Sequence, residues 1–190
     1  MKVVAISGSP RKEGNTARAV EFAMAPLREA GVEVEVISLA DKVIWPCTAC
    51  GNCAKAGKCT AHKDDFQAVF ERVVPADGLV LASPVYFGCA TASICAFMHR
   101  LGYVARAGGN NFLSRKVGGA IAVARRAGHN ATFAQLSMFF GINDMIQVGS
   151  TYWNVMIGRN VGDVERDEEG IKTMTRFGEN LAWILEKIQA

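Results

Sequence analysis

The chain lacks a large excess of either positive or negative charge. Its 190 residues contain 21 Lys and Arg against 18 Asp and Glu, a formal net charge of +3, and the basic residues are scattered along the sequence. Nucleic-acid-binding domains usually concentrate basic residues on one face. The composition therefore argues against a nucleic-acid partner, and three histidines are too few for a histidine-rich metal site.

Long apolar segments are also lacking. The apolar run near the start, Val3 to Ile6, is too short for the core of a signal peptide. Residues 78–98 carry no charge, but Pro84, Gly88 and several hydroxyl side chains interrupt them, which argues against a bilayer-spanning helix. We expect a protein without membrane segments, located in the cytoplasm.

Cysteine is too sparse for a disulfide scaffold, because only six residues of 190 are cysteines. Four of them, however, lie close together between Cys47 and Cys59. In a reducing compartment such a cluster indicates metal or redox chemistry rather than structural disulfides.

Apolar strand patterns alternate with amphipathic helix patterns along the whole chain. This alternation predicts an α/β fold, a five-stranded parallel sheet with helices on both faces, in a single domain over residues 1–190 with a cysteine-rich loop at 45–63. Val32 to Ser38 alternates apolar and charged residues and is predicted to be an edge strand. The other predicted strands are Val3–Ile6, Gly78–Ser83, Val117–Val123 and Ile146–Val148.

The segment after the first predicted strand is typical of an anion-binding loop. It leads into a helix N-terminus, where free backbone N–H groups and the helix dipole favour a phosphate. Side chains that could add donors or charge are those of Ser7, Ser9, Arg11, Asn15 and Thr16. The spacing from Gly8 to Gly14 does not fit a P-loop, and the loop lacks the nucleophilic cysteine of a phosphatase loop, since the first cysteine of the chain is Cys47.

Two segments carry a resemblance to known families. The run from Ser7 to Thr16 resembles the phosphate loop of the NADPH-dependent FMN reductase and iron–sulfur flavoprotein families, and Ser83 to Gly88 resembles their flavin-ring loop. The resemblance extends over nearly the whole chain and implies a flavodoxin-like fold that binds FMN. One phosphate-sized loop without a second dinucleotide fingerprint favours FMN over FAD.

The resemblance also implies which residues lie near the flavin ring. It places the ring against the loop after the third strand, formed by Pro84, Val85, Tyr86, Phe87 and Gly88. In related flavoproteins the loop after the fourth strand approaches the pyrimidine end, which here would bring in Arg125 and Gly128. A positive charge there would stabilise the anionic reduced flavin. Arg125 and Arg126 could equally be surface arginines.

The spacing of Cys47, Cys50, Cys53 and Cys59 suits a compact metal centre. It resembles the four-cysteine motif with which iron–sulfur flavoproteins hold a [4Fe–4S] cluster. A tetrahedral zinc site and cysteines without any metal remain open alternatives. Cys89 and Cys95 are interpreted as small buried apolar residues.

These observations favour an FMN-dependent oxidoreductase of the iron–sulfur flavoprotein type, exchanging electrons with ferredoxin or NAD(P)H. The alternatives are a cluster-free NAD(P)H-dependent FMN or quinone reductase and a non-enzymatic, flavodoxin-like electron carrier. The families form oligomers, so we expect a homo-oligomer whose interface includes the uncharged segments around Phe87, Phe139 and Phe140.

Overall fold

The computed structural model describes residues 1–109 and 111–189, with the side chain of Gln189 left out. Its strands are β1 (Lys2–Ser7), β2 (Glu33–Ser38), β3 (Gly78–Pro84), β4 (Val117–Ala124), β5 (Ile146–Gln147) and β6 (Val155–Ile157). Its α-helices are α1 (Asn15–Glu29), α2 (Cys53–Ala56), α3 (Phe66–Val73), α4 (Ala92–Ala107), α5 (His129–Ile142) and α6 (Glu168–Gln189).

All strands of the sheet are parallel, in the order β2-β1-β3-β4-β5. The short strand β6 pairs with the carboxyl-terminal half of β4, beyond the point where β5 ends. Nearly every residue of β1, β3 and β4 is buried, because these strands are apolar on both faces, whereas β2 is an edge strand that is only half-buried. The predicted parallel sheet and its edge strand are confirmed, with β6 as an addition.

Two apolar cores cover the two faces of this sheet. On one side α3, α4 and α5 pack around Phe66, Phe97 and Phe140. On the other side α1 and α6 pack around Leu27 and Phe177. The flavodoxin-like strand order reverses between β1 and β3, and ligands of such sheets bind at the carboxyl edge near this reversal. In the described part of the chain no helix has the length and hydropathy required to cross a bilayer.

Two expectations about exposure are wrong. Phe139 and Phe140 are buried in the core, so they cannot form an interface with another molecule; α5 instead exposes Met138 and Ile142. This helix is apolar around most of its circumference, so the sequence pattern does not assign its buried face. Cys89 is exposed and Cys95 is only half-buried, so neither is a fully buried apolar residue.

The helices α1 and α6 lie in close contact at Gly178. A Cβ atom at this position would lie 2.1 Å from the carbonyl oxygen of Ala23 and 3.2 Å from Cδ of Pro26. Any side chain at Gly178 would therefore push apart the helix that follows the anion-binding loop and the last helix of the chain.

We expect Gly178→Ala to lower the free energy of unfolding by roughly 1–3 kcal/mol, the usual cost of overpacking a core. Urea denaturation of the variant and the wild type measures this difference. Gly141→Ala is the matched control, because a Cβ there meets no atom within 4 Å. Helix propensity should make that control more stable by about 0.5–1 kcal/mol. Equal stabilisation of both variants would contradict the close helix contact.

Candidate functional site

The carboxyl ends of β1, β3, β4 and β6 surround one open pocket with a volume of about 150 Å³. It lies at the strand-order reversal, where ligands of this fold bind. Predicted site residues that line it are Ser9, Arg11, Asn15, Thr16, Pro84, Val85, Tyr86 and Arg125. The folded chain thus brings together residues of the three loops that were expected to surround FMN.

The loop after β1 is held in place by hydrogen bonds to β3 and α4. The Gly8 amide donates to the Ala82 carbonyl at 2.8 Å, and the Thr91 hydroxyl donates to the Gly8 carbonyl at 2.6 Å. A Cβ at Gly8 would lie 2.6 Å from Cβ of Ile94, so only glycine fits here without movement of α4. The Ser9 hydroxyl accepts the Arg11 amide at 3.1 Å, which curls the loop towards the start of α1. A helix N-terminus preceded by such a loop can bind a phosphate.

Ser7 and Asn15 have surroundings that the sequence did not predict. Ser7 is buried at the carboxyl end of β1 and does not line the pocket, and its hydroxyl has no hydrogen-bond partner among the described residues. The Asn15 side-chain amide donates to the Asn160 carbonyl and accepts the Gly162 amide, both at 2.8 Å. Asn15 therefore holds the loop after β6 against α1, although it also lines the pocket.

A tight hairpin turn forms the tip of the loop after β3. Tyr86 and Cys89 exchange two backbone hydrogen bonds of 2.9 and 3.0 Å, and both residues between them have positive φ, +52° at Phe87 and +83° at Gly88. A positive φ costs a non-glycine residue roughly 1–2 kcal/mol. Phe87 is also fully exposed, and neither Phe87 nor Gly88 lines the pocket.

The loop after β4 packs against this hairpin. Gly128 has a φ of +88°, and a Cβ there would lie 3.0 Å from Val85 and 3.3 Å from the backbone of Gly88. Gly128 therefore allows the two loops to contact each other. Of the two arginines in this loop, Arg125 lines the pocket and Arg126 does not.

Arg159, directly after β6, also lines the pocket and was missed by the sequence analysis. It follows a strand of only three residues, so no pattern marked its position. With Arg11 and Arg125 it makes three arginines around one pocket. Such a charge favours a phosphate or another anionic group.

The four clustered cysteines line a second, smaller cavity, which they share with Arg100, Tyr103 and Val104 of α4. The chain between them turns sharply, with positive φ at Ala49, Gly51 and Gly57. Burial raises the pKa of the Cys53 thiol, and the thiols of the other three cysteines act in the same direction. A metal bound here must therefore displace a proton from Cys53.

Four cysteines around one cavity are a ligand set that suits a [4Fe–4S] cluster or a tetrahedral zinc ion. Among the described residues no group of three or more His, Cys, Asp or Glu side chains is arranged to hold a metal ion.

Two of the sulfurs already accept hydrogen bonds. The Ala49 amide donates to Sγ of Cys47 at 3.4 Å, and Nε of Arg100 donates to Sγ of Cys59 at 3.2 Å. Such donors stabilise thiolate ligands. Arg100 is an unpredicted site residue, although a charged residue among Phe97, Leu101 and Val104 on the apolar face of a helix is a signal in the sequence.

Arg100 is paired with Asp64, and the side chains of both are 1% exposed. Burial alone would raise the pKa of Asp64, but hydrogen bonds from Arg100 and the Trp45 amide outweigh it and hold that pKa below its usual value. Both partners are therefore charged at neutral pH. The pair ties the cysteine segment, which ends next to Asp64, to the middle of α4.

Comparisons with known proteins agree with this geometry. The sequence model of the NADPH-dependent FMN reductase family matches residues 1–159. Two iron-sulfur flavoproteins of Methanocaldococcus jannaschii are 40% and 38% identical to the chain; the alignments cover 100% and 95% of this chain and 100% and 97% of the relatives. A solved structure of RosB with a bound riboflavin-phosphate intermediate superposes with a TM-score of 0.76 at 15% identity, covering 100% of this chain and 80% of that one.

The superposition supports the fold alone, whereas the family match and the two relatives cover enough of the sequence to establish the family. The pocket at the strand-order reversal lies where a flavin-dependent reductase of this fold would bind its cofactor. The chain belongs to the NADPH-dependent FMN reductase family.

Proposed function

We propose that this protein is an FMN-dependent oxidoreductase of the iron–sulfur flavoprotein type, which passes electrons between a donor, ferredoxin or NAD(P)H, and an acceptor. The observation that carries this proposal is the presence of two sites in one chain. One is the pocket at the strand ends, with its three arginines, and the other is the cavity lined by four cysteines.

The strand-end pocket suits FMN in both of its parts. The buried Ser9 and Thr16 and the exposed Arg11 would bind the phosphate at the N-terminus of α1. Pro84 and Val85 offer an apolar wall for the ring. Bound FMN would supply the capacity to exchange electrons singly or in pairs. The charge of Arg125 would then stabilise the negative charge that the flavin gains on reduction.

A [4Fe–4S] cluster is the metal centre that best fits the cysteine cavity. Support comes from the four cysteines around one cavity and from the hydrogen-bond donors on Cys47 and Cys59. The relatives are also named iron-sulfur flavoproteins. The second candidate, a cluster-free NAD(P)H-dependent reductase, is favoured by the family description, which names NADPH and no cluster.

We also propose a homo-oligomer, for a geometric reason. The pocket volume of about 150 Å³ is below the roughly 300–1,000 Å³ of complete ligand sites. Tyr86 and Phe87 are exposed at the same loop. Part of a bound flavin would therefore protrude beside exposed aromatic residues, and a second copy of the chain could cover both.

The adjacent residues Arg125 and Arg126 give a matched test of FMN binding. We expect Arg125→Ala to weaken FMN binding by about tenfold or more, because a charge-assisted hydrogen bond contributes roughly 1.5–3 kcal/mol. Arg126→Ala should bind FMN like the wild type, because Arg126 does not line the pocket. Fluorescence titration of the flavin-free protein measures both. Equal affinity of the two variants, or release of FAD from the purified protein, contradicts the proposed site.

Replacement of single cysteines tests the cluster. After anaerobic purification the wild type should contain about four irons and four sulfides per chain. Serine at Cys47, Cys50, Cys53 or Cys59 should remove most of the iron and leave FMN bound, because the phosphate and ring contacts come from other loops. Cys89→Ser is the control and should change neither. A wild type that oxidises NAD(P)H without containing iron would favour the cluster-free reductase.

Light scattering tests the oligomer. At micromolar concentration the wild type should have at least twice the chain mass of 20.4 kDa. Phe87→Asp should shift the population towards the monomer, since a charge at a contact between apolar surfaces disfavours association. Lys172→Glu, at an exposed position of α6 on the other face of the sheet, controls for a general effect of a changed surface charge. A wild-type protein of monomer mass contradicts the proposal.

A further inference from the structure

Arg100 is the largest fully buried side chain of the described residues, and burying its charge is energetically unfavourable. It lies on the apolar face of α4 between Phe97 and Val104, and its guanidinium carbon is 4.1 Å from the centre of the Phe66 ring. Removing a charge from water costs several kcal/mol even when the charge is paired. An apolar side chain at this position could fill the core without that cost.

The hydrogen bonds of Arg100 show where the guanidinium is directed. Nη1 donates to Asp64 at 2.5 Å and to the Trp45 carbonyl at 3.1 Å, and Nη2 donates to the second oxygen of Asp64 at 3.1 Å. These contacts fix the plane of the guanidinium. The remaining Nε–H donates to Sγ of Cys59.

Asp64 is in turn fixed by the backbone. Its two carboxylate oxygens accept the Trp45 amide at 2.8 Å and the Phe66 amide at 3.3 Å, in addition to Arg100. Trp45 precedes the first of the four clustered cysteines, and Asp64 follows the last of these four. Arg100 and Asp64 therefore hold both ends of the cysteine segment while one N–H group is aimed at a sulfur.

Hydrogen bonds to ligand sulfurs are among the features that set the potential of an iron–sulfur cluster. They withdraw negative charge from the sulfur and so favour the reduced cluster, which carries one more electron. A nearby positive charge acts in the same direction. The neutralising carboxylate of Asp64 lies on the far side of the guanidinium from the Nε–H donor.

We propose that Arg100 is a positioning residue that holds the sulfur of Cys59 and makes a cluster bound there easier to reduce. This inference rests on the proposed [4Fe–4S] cluster and goes beyond it, because it assigns a role to a residue that binds no metal. The redox change concerned is the uptake of one electron by the cluster from a chemical reductant such as dithionite.

The main test variant is the double substitution Asp64→Asn with Arg100→Gln. It replaces the ion pair with two neutral amides, so that no unpaired charge remains buried. We expect iron content near that of the wild type, because all four cysteines remain. Reduction of the cluster should become about tenfold less favourable, which lowers the midpoint potential by about 59 mV. Anaerobic redox titration with optical and spin-resonance detection measures this shift.

Two single variants separate the proposed role from a merely structural one. Asp64→Asn keeps Arg100 and removes a negative charge, so the midpoint potential should stay or rise. Arg100→Lys keeps the charge but has no second planar donor for Cys59, so its potential should fall between those of the wild type and the double variant. Arg106→Gln, an exposed arginine of the same helix, should leave the potential unchanged.

Flavin stoichiometry and circular dichroism report whether each variant is folded, and Arg100→Lys preserves the test if the double variant does not fold. An unchanged potential in the folded variants that lack Arg100 would overturn the inference. A fall in Asp64→Asn as large as in the double variant would also overturn it, because the ion pair would then act only through structure. Absence of iron from the wild type would instead contradict the proposed function and, with it, this inference.

Discussion

The ion pair between Arg100 and Asp64 determines where the cysteine segment lies relative to the rest of the protein. Residues 47–59 contain only one turn of regular helix, α2, and no strand that could fix them in the sheet. Their position is set by contacts with α4 and the core beneath it. Trp45 and Asp64, on either side of the four cysteines, both hydrogen-bond to Arg100, and the side chains of Cys53 and Cys59 pack against the core. Because Arg100 belongs to a helix of 16 residues, the cavity of the cysteines is built against a long regular element.

The same helix also fixes the other site. Its N-terminal cap, Thr91, holds the loop after β1 through the Gly8 carbonyl. At a rise of 1.5 Å per residue, Thr91 and Arg100 lie about 13 Å apart along α4. The two sites are therefore positioned by one element, and their separation is set by helix geometry rather than by a mobile connection.

The fold could be predicted from the sequence because its signals are local. Strands buried on both faces require continuous apolar runs, and β1, β3 and β4 have them. Strand β6 has three residues and α2 has four, too few for either periodicity to appear. The site was predictable in part for the same reason. Loops that directly follow a strand were found, whereas the contact of Asn15 with residues 160–162 joins segments far apart in sequence. Arg159 was missed because the strand that places it was missed.

Phe87 shows how local strain can indicate a contact outside the chain. Its turn has positive φ at both central positions, a geometry for which Asn or Gly at the first position is the least strained choice. A phenylalanine there has an unfavourable backbone and also exposes its whole ring to water. Neither cost is offset by a contact within the described part of the chain, since the ring lies outside both apolar cores and does not line the pocket. The proposed second copy would supply a compensating contact at this loop, where the adjoining pocket is too small to enclose a whole flavin. A second copy that covers the hairpin would bury the aromatic ring and close the open side of the pocket with one contact.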